Sequence, residues 1–232
     1  FLIYGEHYNV MLAIIQARMS STRLPGKVFK ELAGKPMLQW TLERLGNSKM
    51  LKKVVVATSM DSGDNVVEEF CREKNVNFHR GPLENVALRF AEVITLEQAD
   101  AFVRINGDSP LIDPIIIDQA VSLYQSTTVE LVTNIMPRTF PKGQSVEVIN
   151  SEHFQKLCKR MTEPTDQEHV TKGFYNNSEK HRIVSFTSGI DAGHVQLSVD
   201  TLDDFVEIEK LIKISNGQPE GWKELLSLKS TL

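Results

Sequence analysis

Apolar residues along the chain follow two rhythms. Short continuous runs have strand length and are rich in Ile and Val: "MLAIIQA" from Met11, "KKVVVATS" from Lys52, "VNFHRG" from Val76, "DAFVRINGD" from Asp100 and "VELVTNI" from Val129. Longer segments between them repeat at helical spacing. "PMLQWTLERL" puts Met37, Leu38, Trp40, Thr41, Leu42 and Leu45 on one face, with Pro36 at a permitted start. "DNVVEEFCREKN" turns Val66, Val67 and Phe70 inward, and "ENVALRFAEVITLEQA" is a third helix. "DPIIIDQAVSLYQS" opens with Asp113 as N-cap and Pro114 as first helical residue.

Strand–helix alternation of this kind predicts a mostly parallel, twisted sheet with helices on both faces, a Rossmann-like three-layer α/β/α fold. Ligands of such sheets bind at the carboxyl ends of strands. The polar stretches "RMSSTRLPGK", "TSMDSGD" and "NGDSPLID" then gather on one rim. The pattern changes after Thr133. "GQSVEVIN" reads as a small β-arm or edge strand, and "TDQEHVTKGFY" as a helix opened by a Thr165–Glu168 capping box. "HRIVSFT" and "VQLSVD" read as strands, and "TLDDFVEIEKLIKIS" as an amphipathic helix capped by Thr201. No repeat or linker divides the chain, so residues 1–232 are expected to form one domain, with a core over about 11–215 and residues 1–10 as an upstream extension.

Composition narrows the class. With 41% hydrophobic and 24% charged residues among 232, the chain supports a core and is not a disordered sequence. A net charge of −4 gives no overall field for a polyanion, so no nucleic-acid partner is expected. No apolar run has spanning length, so no membrane partner is expected either. "FLIYGEHYNV" lacks a basic start and does not read as a signal peptide. Cys71 and Cys158 make no disulfide framework and read as reduced thiols of a cytoplasmic protein.

The loop after the first strand is where chemistry concentrates. Arg18, Ser20, Ser21, Thr22, Arg23, Gly26 and Lys27 combine cations, hydroxyls and a permissive glycine, a composition that suits a triphosphate. It is not a Walker A loop, because Ser21 stands where the first glycine belongs and Val28 follows Lys27. It is not a dinucleotide fingerprint, since no G-x-G-x-x-G follows the strand. From composition alone, phosphate binding and a solvated basic loop both stand open.

The ordered motifs "QARMSSTRLPGK", "GKPML", "VVVATS", "HRGPLENVALRF", "VRINGDSPLIDP", "FPKGQSVEVI", "EHVT" and "SVDTLDDF" resemble the sugar-activating cytidylyltransferases. These include the 3-deoxy-manno-octulosonate and acylneuraminate enzymes, and the likeness is greatest to spore coat polysaccharide biosynthesis cytidylyltransferase-like proteins. It runs from Met11 to about Ile214. The resemblance implies a nucleotide-diphospho-sugar transferase fold and transfer of CMP from CTP to a sugar, with release of pyrophosphate. It implies catalytic roles for Arg18, Lys27 and Asp108, nucleotide contacts from Ala17, Arg18, Ser20, Arg23, Lys27 and Arg89, and Mg2+ held by Asp108 and Asp200. Phosphoryl chemistry of this kind needs charge stabilisation more than a covalent nucleophile.

Each assignment has a plainer rival. Asp108 beside Gly107 reads equally as a turn aspartate, and Asp200 as a carboxylate beside the Thr201 cap. Arg89 could form a helix-surface pair with Glu92 or Glu84. Glu168 is accounted for by the capping box, while His169 is a sugar or phosphate candidate; His79, His153, His181 and His194 read as ordinary, and Lys35 as structural or solvent-facing. Two positions depart from the family pattern, Asn85 and Ser145, each where relatives carry aspartate; Glu147 is kept. Those departures leave open a nucleotide-binding relative without turnover, and a transferase using another triphosphate or a sugar 1-phosphate. A glycosyltransferase would need D-x-D after a strand, which "MDSGD" is not. By analogy with the family, a homodimer is expected through the excursion around Thr139 to Val148.

Overall fold

The computed structural model describes residues 11–217 and 221–231. In chain order the strands and helices are β1 (Met11–Gln16), β2 (Glu31–Leu32), β3 (Lys35–Pro36), α1 (Met37–Gly46), β4 (Leu51–Ser59), α2 (Asn65–Glu73), β5 (Asn77–Gly81), α3 (Val86–Glu97), β6 (Ala101–Asn106) and α4 (Pro114–Gln125). There follow β7 (Leu131–Thr133), β8 (Glu147–Asn150), α5 (Ser151–Cys158), α6 (Pro164–Glu168), α7 (Lys172–Asn176), β9 (Ile183–Ser185), α8 (Leu202–Ile214) and α9 (Trp222–Lys229). A seven-stranded sheet has the order β5-β4-β1-β6-β8-β7-β9, and β2 pairs with β3 in a separate ribbon. Within the larger sheet β1 is parallel to β4 and β6, β4 to β5, and β7 to β9, while β8 runs antiparallel to both of its neighbours.

The centre of the sheet is buried on both faces because β1 is apolar from Met11 to Ile15 and β6 from Ala101 to Val103. In β1, Ala13 and Ile15 face one core with α1, α2, α4, α8 and α9, while Leu12 and Ile14 face the other with α3, α5 and α7. Phe102 of β6 is flanked by Phe90 at 5.9 Å and Phe154 at 5.2 Å between ring centroids. Such aromatic pairs add about 0.5–1.5 kcal/mol beyond area burial. The caps at Asp113 and Thr201 form as expected, the latter as a full capping box with Asp204.

Four readings need correction. "GQSVEVIN" does not end in an edge strand: β8 lies inside the sheet between β6 and β7, since Val148 and Ile149 bury on opposite faces. "VQLSVD" is not a strand. Its N–H groups go to two different loops, Leu197 to the Lys142 carbonyl at 2.8 Å and Val199 to the Asp108 carbonyl at 2.9 Å. Thr165 is not an N-cap, because Pro164 already occupies the first turn of α6 and Glu163 precedes it without a side-chain cap. Val66 is exposed while Val67, Phe70 and Cys71 fill the inward face of α2. Beyond the expected core boundary, α9 buries Trp222 and Leu225, tied down by the Trp222 N–H donating to Asp113 Oδ2 at 3.0 Å. Residues 1–10 lie outside the described residues.

The segment Leu197–Asp200 crosses directly over Gly143, whose φ is +93°. A Cβ there would stand 2.6 Å from the Leu197 carbonyl carbon and oxygen. Both the left-handed backbone and the close crossing require glycine. Gly143→Ala is therefore expected to cost about 1–3 kcal/mol of stability, measurable as a lowered urea midpoint at unchanged m value.

Candidate active site

β1 neighbours β4 on one side and β6 on the other, and the chain reverses its direction of winding there. A crevice opens at such a switch point, outside the carboxyl ends of the strands. The Gly107 N–H donates to the Gln16 carbonyl at 3.0 Å, closing the ends of β1 and β6 together. A Cβ on Gly107 would meet that oxygen at 2.6 Å, so the contact needs glycine.

The loop that follows β1 is anchored at its root. The Met19 N–H donates to Asp64 Oδ1 at 2.7 Å, and Asp64 Oδ2 accepts from the Ser59 hydroxyl and N–H at the end of β4. Asp64 is 2% exposed. The Met19 carbonyl accepts from Ser21 N–H at 2.8 Å and Gly26 N–H at 2.9 Å, which folds the loop back on itself. Gly26, at φ +67°, turns the chain into a short 3-10 helix over Lys27–Phe29. Val28 of that turn is buried, and Lys27 lines the crevice.

There the Lys27 ammonium meets three oxygens: Asp108 Oδ2 at 2.9 Å, the Val199 carbonyl at 2.9 Å and Asp200 Oδ1 at 3.4 Å. Arg23 Nη2 reaches the same Asp200 oxygen at 2.8 Å. Arg18 Nη2 pairs with Glu168 Oε1 at 3.0 Å across the opening. These groups line one cavity of about 350 Å³, together with Gln16, Ser21, Thr22, Arg104, Asn106 and His169. The size lies in the range of small-ligand sites. On one wall Arg104 Nη1 pairs with the buried Glu147 Oε2 at 2.6 Å, and Glu147 Oε1 accepts from the Tyr175 hydroxyl. Burial, then the Glu147 charge, pushes the Tyr175 phenol well above its usual value, so it stays a donor.

Sequence reasoning placed Arg18, Arg23, Lys27, Asp108 and Asp200 in one site, and the structure brings all five together. His169 also lines the cavity, at the C-terminal end of α6. Ala17 and Ser20 do not line it: Ala17 is buried with its N–H on the Ala57 carbonyl at 3.2 Å, and Ser20 is solvent-exposed, leaving the hydroxyls of Ser21 and Thr22 at the cavity. Glu168 was spent on a capping box in the sequence reading; with Thr165 inside α6 it is available to Arg18. Asp64, Gln16 and Arg104 were missed, as was the pairing of Arg104 with Glu147, the residue kept from the family pattern. Their only signal is position, just past or near the end of a strand.

Arg89 departs from both of its readings. It lies outside the cavity lining and forms no surface pair, being 0% exposed on the inward face of α3. All three guanidinium nitrogens lack a hydrogen-bond partner among the described residues. Glu92, one of the two expected partners, is engaged by His79 Nε2 at 2.8 Å.

A sequence model of the cytidylyltransferases matches residues 12–221. The chain belongs to the cytidylyltransferase family. It is 30% identical over 230 residues to the spore coat polysaccharide biosynthesis protein SpsF of Bacillus subtilis, covering 95% of this chain and 94% of that one. Among solved structures, a cytidylyltransferase from Leptospira borgpetersenii superposes with a TM-score of 0.92 at 29% identity, over 97% of this chain and 95% of that one. A CMP:2-keto-3-deoxy-manno-octonic acid synthetase solved with CTP shares the fold, with a TM-score of 0.68 at 18% identity over 89% of this chain and 99% of that one. The family and fold read from the ordered motifs are both borne out, and the reaction class is cytidylyl transfer, CMP from CTP.

Burial, and then the charge of Arg18, draw the Arg89 guanidinium down to about 10. In the unfolded chain it sits at its ordinary, higher value. The folded state thus binds that proton less tightly, and stability rises with pH between those two values. Arg89→Met is expected to stabilise the ligand-free protein at neutral pH by about 1–4 kcal/mol in urea unfolding. The advantage should shrink as pH is raised through about 10.

Proposed function

We propose that this cytidylyltransferase activates a sugar by joining it to CMP, with release of pyrophosphate, in the assembly of a surface polysaccharide or glycoconjugate. The observation that carries the reading is the convergence of Lys27, Asp108 and Asp200 at one end of one cavity. In this reading the loop from Arg18 to Lys27 cradles the triphosphate. A sugar oxygen bonds to the α-phosphorus as the bond to pyrophosphate breaks, and negative charge grows on the leaving oxygens. Arg18, Arg23 and Lys27 stand ready to neutralise it without rearranging solvent. The acceptor sugar takes the wall formed by Arg104 and His169, which Glu147 and Tyr175 stiffen from behind.

Asp108 and Asp200 suit a divalent cation. Mg2+ is commonly held by one or two carboxylates plus phosphates and waters, so a third protein ligand is not required. Two carboxylate oxygens here already converge on a single cation, the Lys27 ammonium. When bound, such an ion supplies charge neutralisation to the phosphate oxygens. Buried Arg89 adds positive potential beneath the Arg18 loop in the same sense.

The departures at Asn85 and Ser145 do not favour a protein without turnover. Asn85 caps α3 by accepting from the Leu88 N–H at 2.8 Å, and Ser145 accepts from Arg138 Nη1 at 2.9 Å. Both residues have structural work of their own. The reading includes a cytoplasmic homodimer. Much of Thr139 to Val148 is buried within the chain, so pairing through this excursion would use exposed Lys142 together with Met136 and Pro137, which precede the excursion.

Three results test the assignment. CTP with Mg2+ should raise the melting temperature more than UTP, GTP or ATP does; no shift with any nucleotide overturns it. Lys27→Ala should lower turnover at least about 100-fold, read as pyrophosphate release, and weaken CTP binding. Asp108→Asn should keep the fold by circular dichroism but lose the Mg2+ response.

A further inference from the structure

Every cation that the loop presents to the cavity is held by a carboxylate of the same chain. Arg18 is on Glu168, Arg23 on Asp200, and Lys27 on both Asp108 and Asp200. The Lys27 seat differs from an ordinary surface pair. Its side chain is 13% exposed, and its three N–H donors face three oxygens. One of those oxygens, the Val199 carbonyl, belongs to a peptide segment fixed by the Val199 N–H on the Asp108 carbonyl at 2.9 Å. The seat is therefore built by backbone as well as by flexible side chains. A compact ammonium occupies the point where two carboxylate oxygens converge, and it meets the same oxygens that a hard metal ion would take.

We propose that Lys27 is an internal counter-cation that holds the two-carboxylate site closed to divalent metal until a triphosphate arrives. This rests on the reading above, in which Lys27 serves the triphosphate and Asp108 and Asp200 serve the metal. A metal ion approaching the ligand-free protein must displace the ammonium from both carboxylates while the lysine remains nearby and charged. A triphosphate offers the ammonium other anionic oxygens. Moving onto them, Lys27 exposes Asp108 Oδ2 and Asp200 Oδ1 at the moment when phosphate oxygens are present to complete a coordination shell. Nucleotide and metal binding are then positively coupled through one side chain, and the coupling is reciprocal. The arrangement also spares the ligand-free protein two facing, unneutralised carboxylates.

The test is a Mn2+ titration followed by the free-ion electron paramagnetic resonance signal, on the full chain without nucleotide. Lys27→Met removes the charge at similar length, Lys27→Arg keeps a charge, and Lys27→Met combined with Asp108→Asn removes one carboxylate as well. Wild type with CTP, with no sugar present, is measured beside a solution of CTP and Mn2+ alone. Lys27→Met is expected to bind Mn2+ at least tenfold tighter than wild type. Lys27→Arg should stay within threefold of wild type, and the double variant should lose the gain. Should Lys27→Met fail to fold by circular dichroism, Lys27→Gln is read against the same criterion. If wild type with CTP retains Mn2+ on the protein but removing the lysine charge leaves Mn2+ affinity unchanged, the counter-cation role is wrong and the metal reading survives. If no form retains Mn2+ beyond the protein-free CTP control, the metal reading fails and takes the inference with it.

Discussion

One ammonium group organises the mouth of this molecule. Lys27 draws together an oxygen from the turn after β6 and two from the segment before α8, residues separated from it by 81, 172 and 173 positions in sequence. Without a cation at that point, two carboxylates that converge on one spot would have no shared counter-charge there. The surrounding construction delivers the three partners to the same spot. Asp64 pins the root of the loop to β4, Gly26 turns it, Gly107 lets β1 and β6 close up, and Gly143 admits the segment that carries Val199 and Asp200.

The sheet supplies the rigidity for this arrangement. Strands buried on both faces cannot slip by one residue without exchanging two apolar cores, so the ends of β1 and β6 are fixed relative to each other. β8 then extends the sheet antiparallel, and its first residue, Glu147, points a buried carboxylate at Arg104 on the cavity wall. That pair is satisfied from behind by Tyr175, which itself contacts Thr133 at 2.8 Å. A polar wall held in this way keeps its shape, as the proposed acceptor site would require.

Much of this was legible in the residues, and the exceptions have physical causes. Strand runs from Met11 to Asn106 alternate with helices, and local patterning sufficed because each run keeps one regular strand or helix period along its whole length. The loop cations and the two aspartates were legible as ordered motifs. What failed were segments whose partners are distant. Leu197 and Val199 look like a strand by alternation, yet their N–H groups go to separate loops. Thr165 and Glu168 have capping-box spacing, but Pro164 starts the helix a residue earlier and changes the position each occupies. Asp64 is one of several polar residues after β4, and nothing local distinguishes the one that will reach Met19. Arg89 could be placed on α3, but sequence spacing alone could not say that its charge would be sealed inside.

The cations of the site thus divide into two kinds, and the division has a thermodynamic logic. Arg18, Arg23 and Lys27 are partly exposed and paired, so each can exchange a protein carboxylate for a phosphate oxygen at small net cost. In the proposed function, exchange of that kind would give reversibility, because product release would restore the internal pairs. Arg89 is buried and unpaired among the described residues, and it cannot trade partners. Its field acts whether or not a ligand is present, and it opposes folding of the empty protein. An incoming polyanion relieves that opposition, because added negative charge above the Arg18 loop stabilises both Arg18 and the guanidinium beneath it. In the proposed reading, part of the affinity for a triphosphate would be stored in the ligand-free fold as an unfavourable buried charge, and placement would come from the exchangeable pairs around the cavity.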